Sequence, residues 1–146
     1  MKLLGQFTPL TLFVAILTTA CNSVQMGRQP SSASASSLNL ASIYFYRTHD
    51  SPGAAVGVDI KDNGIDIGTL QDGTYFIYHA NPGEHVFTAI TNTTSTQNLK
   101  IQVGATYYVQ TRVVSSQHLF HASLGVIFDL QGQAAIRHLN RLDYHE

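Results

Sequence analysis

The sequence predicts an all-β domain, an antiparallel β-sandwich of about seven strands with one short C-terminal helix. The main observation is a series of short runs rich in β-branched and aromatic residues, separated by turn signals at intervals of roughly 8 to 12 residues. The composition agrees, since 44% hydrophobic and 12% charged residues in a chain of 146 are typical of one folded domain. We place this domain at residues 42–142.

The first predicted strand, residues 42–48, is almost continuously apolar, as is typical of a central strand. The next two strands form a hairpin around Asn63 and Gly64, because this pair lies between alternating apolar residues and both positions accept positive φ. A further turn ends at Gly73 and leads into the aromatic strand 74–78. The chain therefore reverses repeatedly in the first half of the domain.

Asn81, Pro82 and Gly83 form the next turn signal. Proline fixes φ at the second turn position and glycine supplies positive φ at the third, so this tripeptide predicts a type II turn. The remaining segments are predicted from their alternation and polarity: strands at 84–91, 99–103, 106–112 and 124–130, and a polar loop at 91–97.

Residues 133–142 are predicted to form the single helix. Ala135, Leu139 and Leu142 recur at i, i+4 and i+7, which places them on one helical face. This face would pack against the sheets.

The N-terminal residues predict an export signal and a lipid anchor. The apolar run 10–17 is too short to cross a bilayer, which needs about 20 apolar residues, and small residues then precede Cys21. This arrangement resembles the lipobox of bacterial lipoproteins, with Thr18 where that family usually has leucine. The resemblance implies that residues 1–20 are a removable signal peptide and that Cys21 is diacylated on sulfur. Asn22 in place of aspartate implies sorting to the outer membrane, facing the periplasm.

Residues 21–39 connect this anchor to the domain. Their serine-rich composition, with almost no apolar side chains to bury, predicts a flexible linker with a root-mean-square reach of about 20–25 Å. We therefore expect the domain to lie near the membrane surface without inserting into it.

Charge and cysteine content exclude several classes of function. A formal net charge of −1 leaves no basic face for nucleic acid. A single cysteine excludes an intramolecular disulfide framework and any multi-cysteine metal site. The sequence predicts no cofactor.

The histidines offer one weak alternative to a purely structural interpretation. His118 and His121 are spaced i, i+3, which in a helical turn would place two imidazoles on one face as metal ligands, with a third from His79 or His85. Surface or loop histidines are the favoured interpretation. Catalysis is not expected, because no serine lies in a strand-to-helix elbow of the kind found in hydrolases.

Several motifs in order, from Ile43 to about Leu139, resemble small bacterial lipoproteins with a domain of unknown function 2846. The Pro-Gly-Glu segment is also similar to the motif of PEGA-type domains. The resemblance implies an Ig-like or PEGA-like β-sandwich in the cell envelope and implies no known activity. The motifs are Ile-Tyr-Phe-Tyr-Arg at 43–47, the Asn-Gly hairpin, Ile-Gly-Thr-Leu at 67–70, Asp-Gly-Thr-Tyr-Phe at 72–76, Pro-Gly-Glu-His at 82–85 and Gly-Ala-Thr-Tyr-Tyr-Val at 104–109.

We therefore expect a non-catalytic binding module whose partner is an envelope protein or a glycan. The alternative is a periplasmic lipoprotein that binds a metal or small ligand through the loop containing His118 and His121. A partner could bind at an exposed sheet edge by adding a strand, or at a sheet face bearing tyrosines. The candidate tyrosines are Tyr44, Tyr46, Tyr75, Tyr78, Tyr107 and Tyr108.

Overall fold

Two facing β-sheets and one short helix form the domain in the computed structural model, which describes residues 39–49 and 53–143. This confirms the predicted β-sandwich with a short C-terminal helix. No helix within these residues is both long enough and apolar enough to span a bilayer. The elements are β1 Ala41–Arg47, β2 Val58–Asp62, β3 Ile65–Leu70, β4 Thr74–Ala80, β5 Gly83–Ile90, β6 Thr94–Ile101, β7 Thr106–Ser116, β8 Leu119–Ile127, α1 Asp129–Ile136 and β9 Asn140–Arg141.

The larger sheet has the strand order β8-β7-β1-β4-β9, and the smaller one has the order β3-β2-β5-β6. β1 is the central strand of the larger sheet, as its apolar sequence predicts. It pairs antiparallel with β4 and parallel with β7, and β9 is also parallel to β4, so the larger sheet is mixed.

The hydrophobic core lies between the two sheets. Phe45 of β1 is fully buried, stacks on Phe76 of β4 in its own sheet and meets Phe87 of β5 edge to face across the sandwich. These aromatic contacts join both sheets through one central side chain. Other fully buried members of the core are Ala41, Ile43, Val58, Ile60, Leu70, Ala89 and Val109.

The strand pairing defines two ends of the domain. Ser42 pairs with Thr106, and Ile127 pairs with Tyr108, so the starts of β1 and β7 and the end of β8 lie together. We call this the linker end, because the predicted linker joins the domain there. The opposite end, which contains the turn between β7 and β8, is the distal end.

The β2–β3 hairpin has the turn that its sequence predicts. Asp62 pairs with Ile65, and the two residues between them, Asn63 and Gly64, have φ values of 48° and 86°. Positive φ at both positions matches the twist of the flanking strands. Gly73 likewise has positive φ, 68°, immediately before β4.

The predicted type II turn at Pro82 and Gly83 is wrong. Gly83 has φ 146°, whereas the third position of a type II turn requires about +80°. Gly83 is the first residue of β5, and β4 and β5 belong to different sheets. The segment therefore carries the chain from one sheet to the other.

Three predicted boundaries are also corrected. The predicted polar loop 91–97 is largely strand, because β6 begins at Thr94, and its alternating exposure is that of a strand with one face to solvent. β8 begins at Leu119, five residues before the predicted strand 124–130. The helix begins at Asp129 and ends at Ile136, so the predicted helix 133–142 starts too late and extends too far.

Candidate interaction surface

The two histidines proposed as metal ligands do not share a helical turn. His118 lies in the turn between β7 and β8, with φ 66°, and His121 lies on β8 opposite Val114. The proposed third ligands lie elsewhere, with His79 beside Ser42 at the linker end and His85 bound to Asp62. Within residues 39–49 and 53–143, no three His, Cys, Asp or Glu side chains form a group that could hold a metal ion.

The face of the larger sheet that carries Tyr44, Tyr75 and Tyr108, here called the tyrosine face, is partly covered by α1. Tyr44 stacks between Tyr75 and Tyr108, with ring centroids 6.3 Å and 5.0 Å away. α1 packs over this face so closely that a methyl group at Gly132 would overlap the ring of Tyr108, which is only 4% exposed. Burial raises the pKa of the Tyr108 phenol. The helix therefore covers Tyr108, whereas Tyr44 and Tyr75 remain partly exposed, so only part of the tyrosine face is open to a partner.

A polar cluster formed by Asp62, Tyr78 and His85 joins the two sheets. The Tyr78 hydroxyl donates to Asp62 Oδ2 at 2.9 Å, and His85 Nδ1 lies 2.8 Å from Oδ1 and 2.7 Å from Oδ2. His85 Nε2 lies 2.9 Å from the carbonyl oxygen of Asn81. The ring of His85 also stacks on Phe87, with centroids 5.7 Å apart.

The chemistry of this cluster is that of a structural clamp. Both ring nitrogens of His85 face oxygen atoms of the protein itself, the Asp62 carboxylate and the Asn81 carbonyl. Burial, together with the hydrogen bond to Asp62, raises the pKa of Tyr78 to about 12. The polar atoms of the cluster are therefore engaged with one another and with the backbone.

Sequence reasoning missed this cluster. It considered His85 only as a possible third metal ligand. Asp62 and His85 are 23 positions apart and meet only because β2 pairs with β5. The alternation of β2 and β5 predicts the faces of these side chains, but not which strands become neighbours.

A second buried polar cluster lies at the distal end. Arg47, the last residue of β1, is fully buried and donates from Nη1 to the carbonyl oxygen of Val56 at 2.5 Å and from Nη2 to that of Gly53 at 2.9 Å. Its Nε lies 3.7 Å from Asp72 Oδ1. Burial lowers the pKa of Arg47, and the carboxylate of Asp72 opposes that effect. Arg47 therefore holds the chain before β2 and the turn before β4 against the end of β1.

The linker end carries an exposed apolar surface that sequence reasoning did not identify. Phe128 is 85% exposed and Leu130 is 82% exposed, on either side of the first residue of α1. Val126 is 44% exposed at the end of β8, and Val103 is 63% exposed in the loop before β7. We call these four side chains the linker-end apolar surface.

Part of this surface forms an open groove of about 430 Å³. The helix places Gly132 against the sheet, so Phe128 and Leu130 at its start are left in solvent. Apolar residues clustered in this way commonly mark an interaction site. The residues lining the groove are Thr106, Tyr107, Val126, Ile127, Phe128, Asp129 and Leu130.

The protein is thus a β-sandwich domain with a mixed five-stranded sheet, and a C-terminal helix packs on one face of that sheet. Residues 37–123 match the family described as protein of unknown function (DUF2846), and because this is more than half of the chain, the protein belongs to that family. The predicted resemblance to the domain of unknown function 2846 is thereby confirmed. A search of curated proteins finds no match. Phe128 and Leu130 lie beyond the matched residues.

Proposed function

We propose that this protein is a lipoprotein of the cell envelope whose β-sandwich is a non-catalytic interaction module. Its anchor is a diacylated Cys21, and its place is the periplasmic side of the outer membrane. The proposal is supported by the apolar run 10–17, by the small residues before Cys21 and by Asn22 after it. Two acyl chains give stable anchoring, whereas one gives only marginal binding.

The non-catalytic role is supported by the way the buried polar groups are used. Asp62, Tyr78 and His85 bind one another and the backbone across the two sheets, and Arg47 binds backbone carbonyls and Asp72. These groups hold the fold together. In a catalytic site, by contrast, a base must have a nitrogen or oxygen available to the reacting proton.

The single observation that carries the interaction role is the linker-end apolar surface. Phe128 and Leu130 are more than four-fifths exposed, although large apolar side chains are ordinarily buried in a folded domain. The proposed partners are the membrane, through the lipid on Cys21, and an envelope protein or glycan.

The anchor is tested by the intact mass of the full-length protein extracted from membranes. We expect a diacylated or triacylated mass that is lost in Cys21→Ala, with Ser23→Ala as the matched control that keeps the lipid. An unmodified chain with a free thiol at Cys21 would contradict the proposal.

The interaction role is tested by photo-crosslinking from position 128 in the membrane-bound protein. We expect crosslinks from position 128 to membrane lipid or to an envelope protein, and none from Arg137, an exposed residue at the other end of α1. Crosslinks of equal yield from both positions would argue against a dedicated surface.

A further inference from the structure

We infer that the linker-end apolar surface rests on the lipid bilayer that carries the anchor, so that the domain has a fixed face towards the membrane. This inference depends on the proposed lipid on Cys21 and names the partner of the surface described above.

The first argument is where the chain outside the described residues joins the domain. Asn39 lies two residues before the start of β1, whose residue Ser42 pairs with Thr106, a residue lining the groove. The predicted linker therefore joins the domain at the end that carries the exposed apolar side chains.

The second argument compares two lengths. Residues 22–38 separate Cys21 from Asn39, and a linker of that length has a root-mean-square reach of about 20–25 Å. β7 has 11 residues, so its ends, and with them the two ends of the domain, lie about 33 Å apart at roughly 3.3 Å per residue. The average reach of the linker is shorter than the domain, which favours orientations that have the linker end nearer the bilayer than the distal end.

The third argument is the chemistry of the surface. Its four members are one aromatic and three aliphatic side chains, the kind that enter the boundary between headgroups and acyl chains. The groove is lined by a carboxylate, Asp129, and the nearby Lys100 is paired with Glu84 at 3.7 Å. The contact is therefore apolar and not an attraction to anionic lipid, so added salt should leave it in place.

The test uses the full-length lipidated protein on vesicles of phosphatidylethanolamine and phosphatidylglycerol. Phe128→Cys and Leu119→Cys are labelled with an environment-sensitive fluorophore, and acylation blocks the thiol of Cys21. Leu119 is the matched control, an exposed leucine at the distal end. We expect a several-fold rise in emission and quenching by nitroxide-labelled lipid at position 128, with neither effect at position 119.

A repeat with Leu130→Cys guards against a local effect of the first label, because Leu130 is as exposed as Phe128 and its replacement leaves the core untouched. If the protein binds vesicles but the labels at 128 and 130 remain exposed to water, the inference is overturned and the proposed anchor is retained. Labels shielded from water but not quenched by the lipid nitroxide, with shielding lost on dilution, would indicate a second copy and also overturn it. Protein that fails to bind vesicles and has a reactive Cys21 thiol would instead refute the proposed anchor.

Discussion

His85 of the smaller sheet holds Asp62 with Nδ1 within 2.8 Å of both carboxylate oxygens. The same carboxylate accepts a hydrogen bond from the hydroxyl of Tyr78, which belongs to the larger sheet. Asp62 is 5% exposed, so one buried carboxylate connects the two layers of the sandwich.

Replacing this carboxylate should destabilise the fold. In Asp62→Ala, His85 Nδ1 and the Tyr78 hydroxyl lose their acceptor, and each unsatisfied buried group costs about 1–3 kcal/mol. Urea unfolding measures the loss. The control is Asp66→Ala, since Asp66 is mostly exposed and its ion pair with Lys61 should contribute at most about 1 kcal/mol. Equal losses in the two variants would contradict a structural role for Asp62.

Replacing Arg47 should destabilise the fold more than replacing an exposed arginine does. Arg47→Met removes the donors to the carbonyl oxygens of Val56 and Gly53 and leaves Asp72 without its cation, so we expect a loss of about 3–5 kcal/mol. Thermal unfolding of Arg47→Met beside Arg141→Met measures this, because Arg141 is largely exposed beside Asp143. A wild-type melting temperature for Arg47→Met would show that the buried guanidinium is dispensable.

Stability should fall in alkaline solution through Tyr78. The ordinary tyrosine pKa of 10.0 is raised in the folded protein to about 12, chiefly by burial. Between these values the unfolded chain loses the phenolic proton and the folded chain keeps it, so stability is full below pH 10 and declines as the pH rises towards 12. The free energy of unfolding, measured across this range, should decline less steeply in Tyr78→Phe. Tyr46 and Tyr108, whose pKa values burial also raises, account for the remaining slope. Parallel curves for the variant and the wild type would refute the assignment.

Glycine should be required at position 132 because a side chain there would clash with Tyr108, and not because of the backbone conformation. In an exposed helix, glycine to alanine stabilises by about 1 kcal/mol, but a methyl group here would overlap the ring of Tyr108. We expect Gly132→Ala to destabilise by about 1–3 kcal/mol, with a change in the near-ultraviolet circular dichroism of the tyrosines. Gly125→Ala is the control, since its methyl group would meet open space. A stabilised Gly132→Ala would mean that the helix does not press on the tyrosine face.

The β7–β8 turn should be improved by removing a histidine. Gln117 and His118 occupy the two turn positions with φ 49° and 66°, where residues other than glycine are strained by about 1 kcal/mol. His118→Gly should therefore raise the free energy of unfolding by up to about 1 kcal/mol. We expect neither the wild type nor the variant to bind zinc. A loss of bound zinc on this substitution would revive the metal-binding alternative.

Local signals in the sequence predicted much of this fold. The Asn63-Gly64 pair encodes its own turn, and the apolar run that became β1 indicates a central strand by itself. The first half of β6 was misassigned because its threonines, serine and amides look like a loop, although alternate positions are half-buried. Polarity alone does not separate a solvated strand from a loop.

The candidate surface could not be predicted, for a different physical reason. Phe128 and Leu130 have the composition of core residues, yet they face solvent, while α1 packs on the sheet through Gly132, which meets Tyr108. The same contact covers Tyr108, one of the tyrosines that the sequence offered as a binding face. Both outcomes depend on how α1 crosses the sheet, which the spacing of residues within α1 does not specify.

The parallel pairing of β1 with β7 has a consequence for the order of folding. Ile43 of β1 pairs with Tyr107 of β7, which lies 64 positions later in the chain. The central strand therefore gains its second neighbour only after β7 has formed. Long-range pairing of this kind makes loop closure costly and folding slow, on a scale of roughly milliseconds to seconds. Until β7 has been made and has reached its place, the apolar run of β1 is exposed to the aggregation that unpaired strands invite.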